Sequence, residues 1–149
     1  MGEEMDQKRG VLMVCLGNIC RSPIAEAVFN HVIAQRGLQS QWFTDSAATA
    51  GYHTGSRPDS RALKVLKGHG IDTNHRARQL REEDFHRFDY IFGMDDNNIE
   101  DINDMKPRGS KAVVELLGKY DPQKHTIIED PYYQRGDQGF ETNYEQCLR

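Results

Sequence analysis

The stretch Val11-Leu12-Met13-Val14-Cys15-Leu16-Gly17-Asn18-Ile19-Cys20-Arg21-Ser22-Pro23 decides the fold. Val11 to Val14 is a continuous apolar run, as expected of a strand buried on both faces of a parallel sheet. From Ile24 to Gln35 the chain is amphipathic. Ile24, Val28 and Val32 recur at four-residue spacing with Ala27 and His31 beside them, which is the buried stripe of a helix. A strand, a tight loop and a helix start therefore stand side by side. Gly17 and Asn18 in the loop are residue types that tolerate left-handed backbone. Ser22 is a good N-cap and Pro23 suits the first helical position.

This arrangement implies chemistry. A helix N-terminus with free backbone N–H groups is an anion site. Arg21 adds a fork of donors matched to phosphate oxygens. A cysteine after a strand is ordinarily an inert core filler. Cys15, however, would sit beside both a helix N-terminus and an arginine, a setting that favours thiolate. Facing a bound phosphoryl group, it would be the nucleophile of a phosphoryl transfer.

The loop resembles the phosphate loop of the low-molecular-weight protein tyrosine phosphatases, whose pattern is C-x5-R-S. Asp45-Ser46-Ala47, Asn74 to Gln79, Phe88-Asp89-Tyr90-Ile91, Met94-Asp95 and Ile128-Glu129-Asp130-Pro131-Tyr132-Tyr133 resemble that family in the same order. The double tyrosine after Asp-Pro is typical of its eukaryotic members. The resemblance runs from about Val11 to the end of the chain, so 11–149 is expected to form one phosphatase domain after a flexible lead, 1–10. The family's last helix continues beyond the position of Arg149, which leaves the helix here either short or cut.

Farther along, Gly37 is expected to end the first helix. Trp42 to Ala47 reads as a strand. Ala50 to Asp59 is a loop marked by Gly51, Gly55 and Pro58. Ala62, Leu63, Val65 and Leu66 mark a helix stopped near Gly68 or Gly70. Glu82 to Arg87 reads as a short helix, Tyr90 to Phe92 as a third strand, and Asp96 to Met105 as a polar helix with Ile99, Ile102 and Met105 inward. Val113 to Leu117 is a fourth strand. A long loop from Gly118 to about Gly139 leads to a final helix marked by Phe140, Tyr144, Cys147 and Leu148. Alternating strands and helices imply an α/β domain with a parallel sheet. The resemblance implies four strands in the order 2-1-3-4. Ligands in such sheets bind at the carboxyl ends of strands, where Cys15, Ser46 and Asp95 are expected.

Composition fits this picture. A chain of 149 residues, 37% hydrophobic and 28% charged, is long enough for one packed domain. No apolar run reaches the roughly 20 residues that span a bilayer. The polar start, Met1 to Gly10, lacks a signal-peptide pattern. Three cysteines, an odd number, argue against a disulfide framework and for the reducing cytosol. A net charge of −4 disfavours nucleic acid as a partner. The six histidines show no ligand spacing with the cysteines, so no metal and no cofactor are expected.

The resemblance distributes the roles. Cys15 attacks phosphorus; Arg21 and the backbone N–H groups from Leu16 through Gly17, Asn18, Ile19 and Cys20 hold the phosphate. Ser22 supports the departing sulfur. Asp130 is the general acid and then the base. Read from the residues alone, an Asp-Pro pair simply starts a turn. Asn18, Ser46 and His75 form a supporting shell. Tyr52, Tyr132 and Tyr133 wall a cleft for an aryl phosphate, and the partners it implies are tyrosine-phosphorylated proteins and a tyrosine kinase acting on Tyr132 or Tyr133. Bacterial relatives acting on phosphoarginine resemble C-x-G-N-T-C-R, with threonine where this chain has Ile19. Cys20 is either a small buried loop residue or a resolving thiol for oxidised Cys15. Two other functions compete. An arsenate reductase on the same fold needs a later cysteine pair, and no cysteine lies between Cys20 and Cys147. An inactive phosphate-binding module would not need Cys15, Arg21, Ser22 and Asp130 together.

Overall fold

A computed structural model describes residues 9–120, 127–128 and 146–147. Its elements are β1 (Arg9–Cys15), α1 (Arg21–Gln35), β2 (Trp42–Ala48), α2 (Ser60–Gly68), α3 (Asp84–Arg87), β3 (Tyr90–Gly93), α4 (Asp96–Met105) and β4 (Val113–Leu116). A 3₁₀ turn, Leu117–Tyr120, follows β4 and starts one residue before the expected loop. The strands form one parallel sheet in the order β2-β1-β3-β4.

β1 is central, and its side chains divide by alternation. Leu12 and Val14 pack with Phe85, Phe88, Ile91 and Ile102, under α3 and α4. Val11, Met13 and Cys15 face the other way, toward Ala25 of α1, Phe92, Met94 and Ile128. Both faces are buried, which explains the unbroken apolar run. A further cluster joins Ile24 and Val28 of α1 to Ala62, Val65 and Leu66 of α2.

The ends of α1 show where local chemistry holds and where it yields. At the C-terminus, Gly37 takes a φ of 67°. Leu38 N–H donates to Ile33 at 2.8 Å and Gly37 N–H to Ala34 at 3.2 Å, the paired bonds of a Schellman ending. In the last turn Ile33 is buried and Val32 only partly so. At the N-terminus, Ser22 is not the cap. The helix starts at Arg21 with Cys20 as N-cap and no side-chain capping bond. Ser22 lies one position inside because its hydroxyl is used elsewhere. Pro23 falls in the first turn, where its missing N–H leaves no bond unmade.

β2 runs to Ala48, so Ser46 lies within the strand, opposite Met13, rather than after it. α3 begins at Asp84 rather than Glu82. α4 has the expected bounds. Among the described residues, no helix is long and apolar enough to cross a membrane. Asp130, Tyr132 and Tyr133 lie outside the described residues, as do all of the expected last helix except Gln146 and Cys147 and residues 1–8 of the expected lead 1–10, whose last two, Arg9 and Gly10, are already in β1.

Candidate active site

Cys15 ends β1 at the carboxyl edge of the sheet, and Arg21 opens α1. The chain between them turns back on itself. Asn18 carries the reversal, with a φ of 58°. Gly17 is there for space: a Cβ on it would lie 3.0 Å from Cδ2 of His53.

The loop is tied outward through its carbonyls. Thr49 N–H donates to Cys15 O at 3.0 Å, Ala50 N–H to Leu16 O at 3.0 Å and Asp59 N–H to Ile19 O at 2.7 Å. In a trans peptide the N–H points opposite to the C=O. The amides of Leu16, Gly17 and Cys20 are therefore turned away from the 49–59 segment. Asn18 N–H donates to Cys15 Sγ at 3.3 Å. Curled amides beside a helix start make an anion-binding concavity.

Cys15 is 2% exposed. Its Sγ lies 3.0 Å from Ser22 Oγ, the contact that draws Ser22 away from capping. Behind the loop stands a buried polar shell. Asn18 Nδ2 donates to Ser22 Oγ at 2.8 Å and to Ser46 Oγ at 2.9 Å. Asn18 Oδ1 accepts from Arg78 N–H at 3.0 Å and lies 2.7 Å from His75 Nε2. With its amide so fully used, Asn18 is held in the left-handed conformation that shapes the loop. Ser46 donates to Glu26 at 2.5 Å, and His75 Nδ1 lies 3.2 Å from the same carboxylate oxygen. Burial pushes the Glu26 carboxyl up to about 7 and the His75 imidazole below its ordinary value, so each leans toward its neutral form.

Arg21 is 2% exposed and its Nη1 donates to Asp95 Oδ2 at 2.5 Å and to Ile128 O at 2.9 Å. Asp95 serves two elements. Its Oδ1 accepts from Asn98 N–H at 2.8 Å and closes a capping box on α4, while Oδ2 orients the guanidinium. Ile128 N–H bonds Met94 O at 2.8 Å, which brings the segment two residues before Asp130 against Arg21.

The structure thus assembles Cys15, Asn18, Arg21, Ser22, Ser46 and His75 in one site. Tyr52 is 77% exposed, with an edge-on contact to His53 at 6.5 Å between ring centroids. Sequence reasoning missed the parts played by Asp95, Glu26, Asp45, Arg78 and His53. Asp95 had a signal: an aspartate at the end of a strand and the start of a helix, on the ligand edge of the sheet.

The double duty of Asp95 yields a prediction. Asn is as good an N-cap as Asp, so Asp95→Asn keeps α4 capped while the oxygen that accepts from Arg21 becomes an uncharged NH2 that cannot accept. We expect kcat/KM to fall about 10- to 100-fold while the protein stays folded. Steady-state kinetics beside a thermal melt checks this, and an unchanged kcat/KM would show that Arg21 needs no orienting charge.

Residues 10–148 match the family model described as low molecular weight phosphotyrosine protein phosphatase. The human low molecular weight phosphotyrosine protein phosphatase is 53% identical over 143 residues, covering 95% of this chain and 90% of that protein. The crystal structure of Primo-1 superposes with a TM-score of 0.90 at 50% identity, covering 94% of this chain and 92% of that one. The crystal structure of a Drosophila arginine phosphatase, DARP, gives 0.88 at 41% identity, over 93% and 90% of the two chains.

Proposed function

The chain belongs to the low-molecular-weight phosphotyrosine protein phosphatase family, and we propose that it hydrolyses phosphotyrosine in proteins, and small aryl phosphates, through a phosphocysteine on Cys15. One observation carries the reading: Cys15 Sγ sits in the mouth of the curled loop, 3.3 Å from an inward amide and 3.0 Å from Ser22 Oγ.

The reaction has two steps. In the first, Cys15 Sγ attacks phosphorus in line with the aryl oxygen. The S–P bond forms, the P–O bond breaks, and the leaving phenolate takes a proton from Asp130. The loop amides and Arg21 hold the equatorial oxygens, where charge spreads in the transition state. In the second, water attacks the phosphocysteine, gives its proton to Asp130, and the S–P electron pair returns to sulfur. A hydrogen bond from Ser22 to Sγ eases that departure.

The cleft walls are assigned to Tyr52, Tyr132 and Tyr133, with Ile19 at the loop lip. Because Tyr132 and Tyr133 neighbour Asp130, a tyrosine kinase that phosphorylated either would place a dianion beside the incoming phosphate and slow the reaction. Mass spectrometry after kinase treatment, paired with rates, is the check. A thiolate enzyme belongs in a reducing compartment, for which we assign the cytosol.

The likeness to the Drosophila arginine phosphatase makes phosphoarginine the second substrate to try. Rates on a phosphotyrosine peptide, a phosphoarginine peptide and a phosphoserine peptide test the assignment. Phosphotyrosine is expected to exceed both others by at least about 100-fold, the discrimination a shaped, apolar-walled site gives. A faster phosphoarginine reaction would reassign the substrate.

Cys20 is proposed as the resolving thiol after oxidation. It is buried at the helix start, in the same loop as Cys15. The remaining cysteine, Cys147, packs against the cluster that contains Cys15, so the mapping of the disulfide decides between the two thiols. Peroxide would convert Cys15 thiolate to sulfenic acid, and the Cys20 thiol would displace water to give a disulfide. Wild-type protein is expected to regain most activity with dithiothreitol after mild peroxide, and Cys20→Ser to regain little. Peptide mapping that pairs Cys15 with Cys147, or equal recovery in the variant, would refute the assignment.

A further inference from the structure

Glu26 on α1, Asp45 on β2 and His75 in the 69–83 connection are far apart in sequence, yet they converge behind the phosphate loop. Glu26 Oε1, Asp45 Oδ1 and His75 Nδ1 lie within 4.8 Å of one another. His75 Nδ1 is 3.2 Å from the Glu26 oxygen and 3.8 Å from the Asp45 oxygen. Around a tetrahedral zinc, with N and O ligands at about 2.0–2.2 Å, neighbouring ligand atoms stand about 3.4 Å apart. The two edges from His75 Nδ1, 3.2 and 3.8 Å, therefore bracket that spacing, and the carboxylate–carboxylate edge, within 4.8 Å, completes the face once the two side chains draw together.

The ligands are also oriented by hydrogen-bond partners, on their other atoms for His75 and for Asp45 Oδ2, and on the ligand oxygens themselves for Asp45 Oδ1 and for Glu26 Oε1, which accepts from Ser46 Oγ. His75 Nε2 is held by Asn18 Oδ1 at 2.7 Å. Asp45 Oδ1 takes Ser46 N–H at 2.8 Å, and Asp45 Oδ2 takes Arg78 Nε at 3.1 Å. Arg78 is at the same time bidentate to Asp84, at 2.9 and 3.0 Å. Two carboxylates, Asp45 and Asp84, thus share one guanidinium, an excess of one negative charge, to which Glu26 adds another when a bound dication holds it ionised. The His75 and Glu26 side chains are 5% and 14% exposed, while Asp45, at 32%, opens the site to water.

We propose that Glu26, Asp45 and His75 form a binding site for a divalent transition cation of the zinc class, with water as fourth ligand. No cysteine belongs to this set, so cysteine–histidine spacing in the sequence does not signal it. Binding releases to solvent any proton held on Nδ1. The proton left on the ring is on Nε2, where it donates to Asn18, so the bound cation fixes the tautomer that supports the phosphate loop. The cation takes no part in phosphoryl transfer; it stiffens the shell behind it.

The test is binding, read without turnover. Zinc is titrated calorimetrically into Cys15→Ser protein, which lacks the catalytic thiolate as a competing ligand. Cobalt(II) is titrated into the same protein and followed by visible absorption. We expect one zinc per chain, a four-coordinate cobalt spectrum without thiolate charge transfer, and at least a tenfold weaker affinity when either Glu26→Gln or Asp45→Asn is added. Thermal melts of the added variants establish that they are folded; should one fail to fold, the other decides. No zinc binding to Cys15→Ser, a thiolate band with cobalt, or undiminished affinity in a folded variant would each overturn the proposal.

Discussion

Cys15→Ser is expected to lower turnover of any aryl phosphate by about 10⁴-fold or more, because an alcohol at neutral pH is a far weaker nucleophile than a thiolate. The same variant should still bind phosphate or vanadate. The anion cradle is made of backbone amides, the start of α1 and Arg21, none of which depends on sulfur. Serine is smaller than cysteine and can keep a hydrogen bond to Ser22, whose Oγ lies 3.0 Å from Sγ. Binding is read by calorimetry. A variant retaining a few per cent of wild-type turnover would move the nucleophile elsewhere. One that lost anion binding along with turnover would make Cys15 part of the cradle rather than the attacking group.

Asp130→Asn should separate substrates by their leaving groups. The phenolate of tyrosine is basic and leaves poorly without a proton, so its ester is expected to lose about 10²- to 10⁴-fold in kcat. An ester of a strongly acidic nitrophenol needs little protonation and should lose much less. A wild-type plot of log kcat against leaving-group pKa should be shallow, and the variant's steep. Asparagine has nearly the shape of aspartate, so a simple loss of packing would lower all substrates alike. Equal losses across the series would assign the acid to another residue. Ile128, two residues before Asp130 in the sequence, donates to Met94 and accepts from Arg21.

Much of the fold was legible because it follows from short-range rules. The run Val11 to Val14 has no polar face, and only a central parallel strand accepts that pattern. Gly37 ended a periodic segment and is the left-handed residue of a Schellman ending. Asp96 and Met105 bounded an amphipathic segment and are the ends of α4. The strand order came from family resemblance, since periodicity says nothing of lateral neighbours.

Where local reasoning failed, the site had overridden it. Ser22 has a good capping side chain in a capping context, yet its hydroxyl turns to Cys15, and α1 begins without a side-chain cap. Gly17 looked like a turn glycine but is a matter of clearance beside His53, a long-range contact no local pattern encodes. Asn18, Ser46 and His75 were legible only through resemblance. Glu26, Asp45 and Arg78 were not legible at all as parts of the shell, because a carboxylate on a helix and an arginine in a connection read as solvated charges until the fold buries them.

The central claim is covalent transfer to Cys15, and trapping the intermediate tests it most directly. Wild-type protein is mixed with a nitrophenyl phosphate, quenched in acid within the first turnovers, and digested with trypsin. Cleavage after Arg9 and Arg21 gives the peptide Gly10–Arg21, which contains both loop cysteines. A burst of nitrophenol approaching one per enzyme is expected, with one phosphoryl group on that peptide that fragmentation places on Cys15. Release of nitrophenol with no phosphorylated peptide at any quench time, or a phosphoryl group mapped to Cys20 or Ser22, would contradict it.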